Sequence, residues 1–210
     1  FLGSCEKKHA QSGSPATGNT PDSAFTLREV RGGFLLESTF LAMDTIYTLT
    51  LGIEGTLDEA MRARASHAFE MARQEVQRVE SLMSSHTQSG DVYRLNHASR
   101  EWVSVDPATL EVVKQAVRVG YATEGAFDIT WKALRPLYRL RDPDWRPPTE
   151  EQIRNAMKWV DFKSIEMDVQ GSRLRFTREG MSLDLGGIAK GYALEKASEA
   201  LLRAGFPITS

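Results

Sequence analysis

Apolar and polar positions alternate over Ile46-Tyr47-Thr48-Leu49-Thr50-Leu51, the two-residue period of a half-buried strand. Thr45 to Leu51 therefore predicts one strand and Phe34 to Phe40 another, with Ala42-Met43-Asp44 as a short link between them. The period then changes. Met61, Ala65, Ala68, Phe69, Ala72, Val76, Val79, Leu82 and Met83 recur at helical spacing, and Thr56 with Glu59 three residues on reads as a capping box, so a long amphipathic helix runs to about Met83. Ser84 to Asn96 reads as a polar, glycine-containing loop.

Trp102-Val103-Ser104-Val105 predicts a short strand, and Asp106-Pro107 then opens a second helix with Asp at the cap and Pro at the first helical position. Its stripe is Leu110, Val113, Val117 and Tyr121, and it stops near Glu124-Gly125. Ala126 to Leu140 is apolar without a clean period, and Arg141 to Pro148 is a proline-rich connection. Thr149 with Gln152 forms another capping box, opening a short helix to about Trp159. Ser164 to Met167, Leu174 to Phe176 and Met181 to Asp184 read as short strands, with Gly171-Ser172 as a hairpin turn. A last helix runs from about Gly187 to Ala204, with Gly205 as its stop. Helices and strands alternate irregularly and several strand pairs are close enough for hairpins, so the fold class is α+β, a mixed or antiparallel sheet packed with helices.

Composition narrows this picture. At 210 residues, 41% hydrophobic and 26% charged, the chain can bury a sizeable core. A net charge of −2 with interspersed signs is no basic footprint, so nucleic acid is not expected as a partner. Cys5 is the only cysteine, which rules out an intrachain disulfide and a thiolate metal cluster. Leu2-Gly3-Ser4-Cys5 followed by a Ser/Gly/Pro/Thr-rich run looks like the end of a bacterial lipoprotein signal, with Cys5 as the lipidation site; a chance match of four residues is the alternative. Residues 1–24 then divide off as signal remnant and flexible tether, and 25–210 as the folded part.

Three segments carry candidate chemistry. In Asp184-Leu185-Gly186-Gly187-Ile188-Ala189-Lys190-Gly191-Tyr192 a strand leads through two glycines into a helix with a lysine in its first turn. Unpaired amides and the dipole at a helix start favour an anion, and glycine lets it approach. The same spacing fits glycines that merely allow close packing, with Lys190 a solvated charge and Asp184 a helix cap. Gly125-Ala126-Phe127-Asp128-Ile129-Thr130 sets an acid among apolar residues; Asp128 can accept from an exocyclic amine and ring N–H with Phe127 as a flat wall, or Asp128 and Thr130 can cap the next segment. His86, in Ser84 to Asp91, either stacks on a planar ring or is an ordinary exposed histidine. The four histidines are scattered and no Gly-x-Ser-x-Gly elbow occurs, so neither a histidine-built metal site nor a Ser/His/Asp hydrolase has support.

Taken with Ala42-Met43-Asp44-Thr45, these segments stand in an order that resembles the ApbE family, the FAD:protein FMN transferases, from about Phe34 to the end of the chain. The resemblance implies FAD as substrate, Mg2+, and transfer of FMN onto a threonine of an exported flavoprotein with release of AMP. It implies that Met43, Ala126, Phe127 and Asp128 line the FAD site, that Gly186, Lys190 and Tyr192 contact the dinucleotide, and that Ala189 lends its backbone carbonyl to the metal. Acceptors would be subunits of Na+-translocating NADH:quinone reductase or Rnf-type complexes, and the protein would be lipid-anchored at Cys5 on the periplasmic side of the inner membrane. Two positions depart from the family: His86 stands where a flavin-stacking tyrosine or tryptophan is common, and Met43-Asp44-Thr45 where Met-Gly-Thr is frequent. The resemblance further implies that residues 25–210 are the N-terminal two-thirds of the domain, about a hundred residues short. The Asp and Thr that complete the magnesium site would lie beyond Ser210, leaving this piece inactive by itself. An FAD diphosphatase, a flavin-binding lipoprotein without turnover and an envelope domain with a purely structural junction are the rival readings.

Overall fold

The alternation over residues 46–51 does build a strand, longer at its end than the pattern marks. A computed structural model describes residues 25–139 and 142–207; Cys5 and the tether lie outside them. β1 (Thr26–Val30), β2 (Gly33–Ala42) and β3 (Thr45–Glu54) form an antiparallel sheet in that order. β2 and β3 pair from Gly33 opposite Glu54 to Ala42 opposite Thr45. β3 buries Tyr47, Leu49, Leu51 and Ile53 on one face. β1 is exposed at every position, so no alternation announces it; the open edge of β2 recruits it.

α1 (Glu59–Met83) follows, but its cap is Asp58, not Thr56. The Asp58 carboxylate accepts from the amide of Met61 at 2.8 Å, which places the acid beside the positive end of the dipole and displaces the expected capping box. α1 packs on β2 and on α5 (Ala189–Arg203), the last helix. Both contact faces are rich in alanine: Ala65, Ala68 and Ala72 on α1, and Ala193, Ala197 and Ala200 on α5, are completely buried. The helices run antiparallel, since Arg203 reaches back to Glu75 and Gly205 lies against Arg64. α5 ends as the sequence predicts. Gly205, at φ +83, donates its amide to Leu202 O, and Phe206 donates to Leu201 O, the two bonds of a Schellman stop.

A second antiparallel sheet has the order β4 (Val103–Ser104), β6 (Arg173–Phe176), β5 (Ile165–Asp168). α3 (Pro107–Ala122) is capped by Asp106 as expected, but its buried stripe is offset. Tyr121 is 61% exposed, while Thr109, Val112, Val113, Ala116 and Gly120 face inward. Gly120 draws the stripe its way, because a Cβ there would lie 3.0 Å from the Phe162 ring, while Tyr121 makes a T-shaped contact with that ring from the exposed side. α4 (Glu150–Met157) shows both bonds of the Thr149–Gln152 capping box.

Two segments differ from the sequence reading in a way that shapes the site. The polar stretch 84–96 contains a helix, α2 (Asp91–His97). It is nucleated by an acid: Asp91 is buried, and its carboxylate accepts from Arg94, from the Asp106 amide at 2.8 Å and from the Thr109 hydroxyl at 2.6 Å. Conversely, Met181 to Asp184 is not a strand. Its ladder partner is a side chain. The Leu183 amide donates to Asn96 Oδ1 at 2.8 Å, Asn96 Nδ2 donates to Leu183 O at 2.9 Å, and the Asp184 amide donates to Ile129 O at 2.8 Å.

Asn96→Ala strips both partners from a buried backbone unit, so a loss of about 2–3 kcal/mol is expected in urea denaturation. A loss below about 0.5 kcal/mol, the range of a neutral surface change, would show that Asn96 does not hold this segment.

Candidate active site

The clamp on Leu183 delivers the chain to the glycine junction in a fixed position. Asp184 Oδ1 accepts from the Gly186 amide at 2.7 Å, so the acid braces the turn before the helix and does not cap the helix itself. α5 begins at Ala189, two residues later than its pattern suggests, and its cap residue Ile188 offers no side-chain hydrogen bond. Lys190 therefore sits in an uncapped first turn, where amides and dipole favour negative charge. Its ammonium now rests 3.2 Å from Gly186 O.

The three glycines are not equivalent. A Cβ at Gly187 would lie 3.2 Å from the Phe127 ring, so this glycine serves packing. At Gly186 the obstacle is only the Asp184 carboxylate, at 2.9 Å, and at Gly191 nothing lies within 4 Å. Close internal packing accounts for one glycine and leaves two with backbone open to approach.

The β2–β3 hairpin closes on Met43 and Asp44, both left-handed at φ 52 and 56. Such a turn matches the strand twist but suits glycine or asparagine, and a methionine there is strained. Neighbouring elements hold it. The Met43 amide donates to Glu80 Oε1 of α1 at 2.8 Å; the Tyr47 hydroxyl donates to Met43 Sδ at 3.2 Å and, weakly at 3.5 Å, to Lys190 O. Burial, reinforced by the Glu80 charge, pushes the Tyr47 phenol up, so it stays a neutral donor at physiological pH.

These pieces converge. Met43, Asp44, Glu80, His86, Trp131, Arg135, Asp184, Gly186, Ala189 and Lys190 all line one pocket of about 270 Å3. Met43, His86, Asp184, Gly186, Ala189 and Lys190 were picked out by sequence; Glu80, Trp131 and Arg135 were not. Glu80 has no signal, being one more charge on the polar side of α1. Trp131 does have one, since it directly follows Asp128-Ile129-Thr130; Arg135, four residues further on, has none. Arg135 Nη1 lies 3.5 Å from Asp184 Oδ2.

Ala126, Phe127, Asp128 and Tyr192 do not line this pocket. Ala126 is exposed and Phe127 backs the junction through Gly187. Asp128 accepts from the Thr130 amide at 2.7 Å, the Thr130 hydroxyl at 2.6 Å and the Phe162 amide at 3.0 Å, which fits the capping alternative and takes up most of its acceptor capacity. Tyr192 is half-buried with Lys196 5.2 Å from its ring centre; burial, foremost, raises its phenol.

The metal expectation was tested against the donors present. Among the described residues there is no group of three or more His, Cys, Asp or Glu side chains able to hold an ion. The Ala189 carbonyl alone does not approach the six oxygens magnesium requires. These residues do not fit a complete magnesium site.

Fold and pocket define a class, α+β proteins that open an uncapped, glycine-led helix start into a cleft. The particular family follows from comparison with known proteins. The ApbE family model matches residues 43–208, and the chain belongs to the ApbE family. The FAD:protein FMN transferase of Vibrio cholerae serotype O1 is 32% identical over 136 residues, 62% of this chain and 39% of that protein. That of Haemophilus influenzae is 26% identical over 130 residues, 59% and 37%. The ApbE protein of Thermotoga maritima superposes with a TM-score of 0.68 at 28% identity, over 81% of this chain and 53% of that one. The flavin transferase ApbE from Vibrio cholerae gives 0.69 at 24% identity, over 82% and 54%, which speaks for the fold alone. The chain thus spans about two-fifths of these curated relatives and about half of the solved structures.

Asp44→Gly relieves one left-handed residue of the hairpin turn, and a gain of about 0.5–1 kcal/mol is expected from the urea midpoint at unchanged slope. No gain would mean that the turn is not strained at this position.

Proposed function

We propose that this chain is part of an FAD:protein FMN transferase, which moves FMN from FAD onto a threonine hydroxyl of an exported flavoprotein and releases AMP. The observation that carries the reading is the convergence of the Met43-Asp44 turn, the His86 loop and Gly186 to Lys190 on one pocket from three distant parts of the chain. In the reaction the threonine oxygen bonds to the FMN phosphorus, the bond from that phosphorus to the bridging oxygen breaks, and AMP leaves with the electron pair while the hydroxyl loses its proton. The first turn of α5 and Lys190 hold the phosphate charge that shifts as AMP departs. Gly186 admits the phosphate to the backbone. Asp184 positions, since one oxygen holds the Gly186 amide and the other faces Arg135.

Further parts of the proposal rest on the family resemblance and on the Leu2-Gly3-Ser4-Cys5 pattern. The transfer depends on magnesium, for which Ala189 would offer its backbone carbonyl; the remaining ligands are not among the described residues. Acceptors are subunits such as those of Na+-translocating NADH:quinone reductase or Rnf-type complexes. Lipid at Cys5 anchors the protein on the periplasmic side of the inner membrane; no helix among the described residues is long and apolar enough to cross one.

The test mixes the full-length protein with FAD, magnesium and a flavoprotein subunit bearing a Ser/Thr-Gly-Ala-Ser/Thr motif. Covalent flavin fluorescence on the subunit with equimolar AMP is expected, abolished by chelator. Free FMN and AMP without labelling would instead identify a diphosphatase. Lys190→Ala should lower transfer at least about tenfold, the scale of one charge-assisted hydrogen bond. Cys5→Ala should move the protein from the membrane to the soluble fraction of expressing bacteria.

A further inference from the structure

The 3₁₀ turn Trp131–Leu137 brings two large side chains to the pocket, and nothing in the glycine junction or the hairpin accounts for them. Trp131 leaves 38% of its surface in solvent, the largest flat face among the pocket residues. Arg135 is half-exposed, and its contact with Asp184 at 3.5 Å is loose, well beyond the 2.7–2.9 Å of a tight guanidinium–carboxylate bond. The Asp184 side chain is only 16% exposed and is satisfied mainly by the Gly186 amide. Re-aiming Arg135 would leave Asp184 the Gly186 amide on one oxygen and the charge of Lys132 nearby.

Charge is divided across the pocket. Asp44 and Glu80 come from the hairpin and α1, and Glu80 is tied to the Met43 amide. Arg135 and Lys190 come from the turn and the junction; Lys132 stands on the same turn as Arg135, close enough to feel its charge. Burial pushes the Lys132 ammonium down; Asp184 opposes this and Arg135 adds to it. Asp184 thus faces two cations on this wall, Arg135 and Lys132. A guanidinium is the side chain suited to planar, two-point pairing with phosphate. An indole face suits a planar heteroaromatic ring, and it offers more area than the imidazole of His86 in the same pocket.

We propose that the turn Trp131–Leu137 is a ligand-gripping arm of this pocket, in which Arg135 pairs with a phosphate of the bound flavin dinucleotide and Trp131 lies against its isoalloxazine ring. The proposal rests on the reading of the pocket as a flavin-nucleotide site. Arg135→Gln keeps most of its side chain and should leave the urea midpoint in place, whereas Trp131 is only 38% exposed, so Trp131→Ala is read beside its urea midpoint and beside Trp131→Phe, which keeps a ring.

The test titrates the full chain and its variants with FAD, riboflavin and AMP, following indole and flavin fluorescence and, for AMP, heat. Arg135→Gln should weaken FAD about tenfold and leave riboflavin unchanged, with Arg135→Lys in between. Trp131→Ala should weaken riboflavin and FAD severalfold and leave AMP unchanged, while Trp131→Phe retains most of the affinity. Unchanged FAD binding in Arg135→Gln, or equal weakening of riboflavin and FAD by it, overturns the arm while leaving the flavin reading intact. Failure of the unsubstituted chain to bind FAD at all overturns both.

Discussion

The close contact of α1 and α5 is made by alanines, and the pocket lies where that contact ends. With Ala65, Ala68 and Ala72 on one helix and Ala193, Ala197 and Ala200 on the other, two backbones approach with few bulky side chains between them. Because the helices run antiparallel, the end of α1 and the start of α5 come together, so Glu80 and Met83 stand beside Ala189 and Lys190. Larger residues along this seam would move the helix start away from the hairpin, and the pocket would lose its shape before it lost any of its chemical groups.

That apposition also sustains the least favourable backbone in the site. Left-handed conformations at Met43 and Asp44 persist because their surroundings over-determine them. Glu80 takes the Met43 amide from α1, and Tyr47 spans from Met43 Sδ to the first turn of α5. The strained turn is thus stitched to both helices of the seam. A link between hairpin and helix start is what a pocket needs if its two walls are to keep a fixed separation around a ligand.

Legibility in the sequence followed the range of the forces involved. Local signals came through: the alternation of β3, the Asp106-Pro107 start of α3, the Thr149–Gln152 box and the Gly205 stop all reappear. The failures that shape the site share one cause, a partner distant in sequence, whereas the shift of the α1 cap from Thr56 to Asp58 is a local one. Asp91 nucleates α2 by collecting donors from Asp106 and Thr109, and Asn96 replaces a strand opposite Leu183, so neither α2 nor the missing strand could be read from its own residues. The same holds for Arg135, whose relevance depends on the fold bringing it to Asp184.

The two strongest motifs turn out to divide the labour differently from what their similarity in the sequence suggests. Gly125 to Thr130 contributes support: Phe127 backs Gly187, and Asp128 with the buried Thr130 ties the segment to Asp161 and Phe162. Its end passes straight into the turn that carries Trp131 and Arg135. Asp184 to Tyr192 contributes the open backbone, but only at Gly186 and Gly191, since Gly187 is occupied by that same phenylalanine. The packing reading therefore holds at Gly187, while Gly186 and Gly191 keep the space that the ligand reading needs. One glycine binds the motifs to each other, and that contact sets the orientation in which the others face outward.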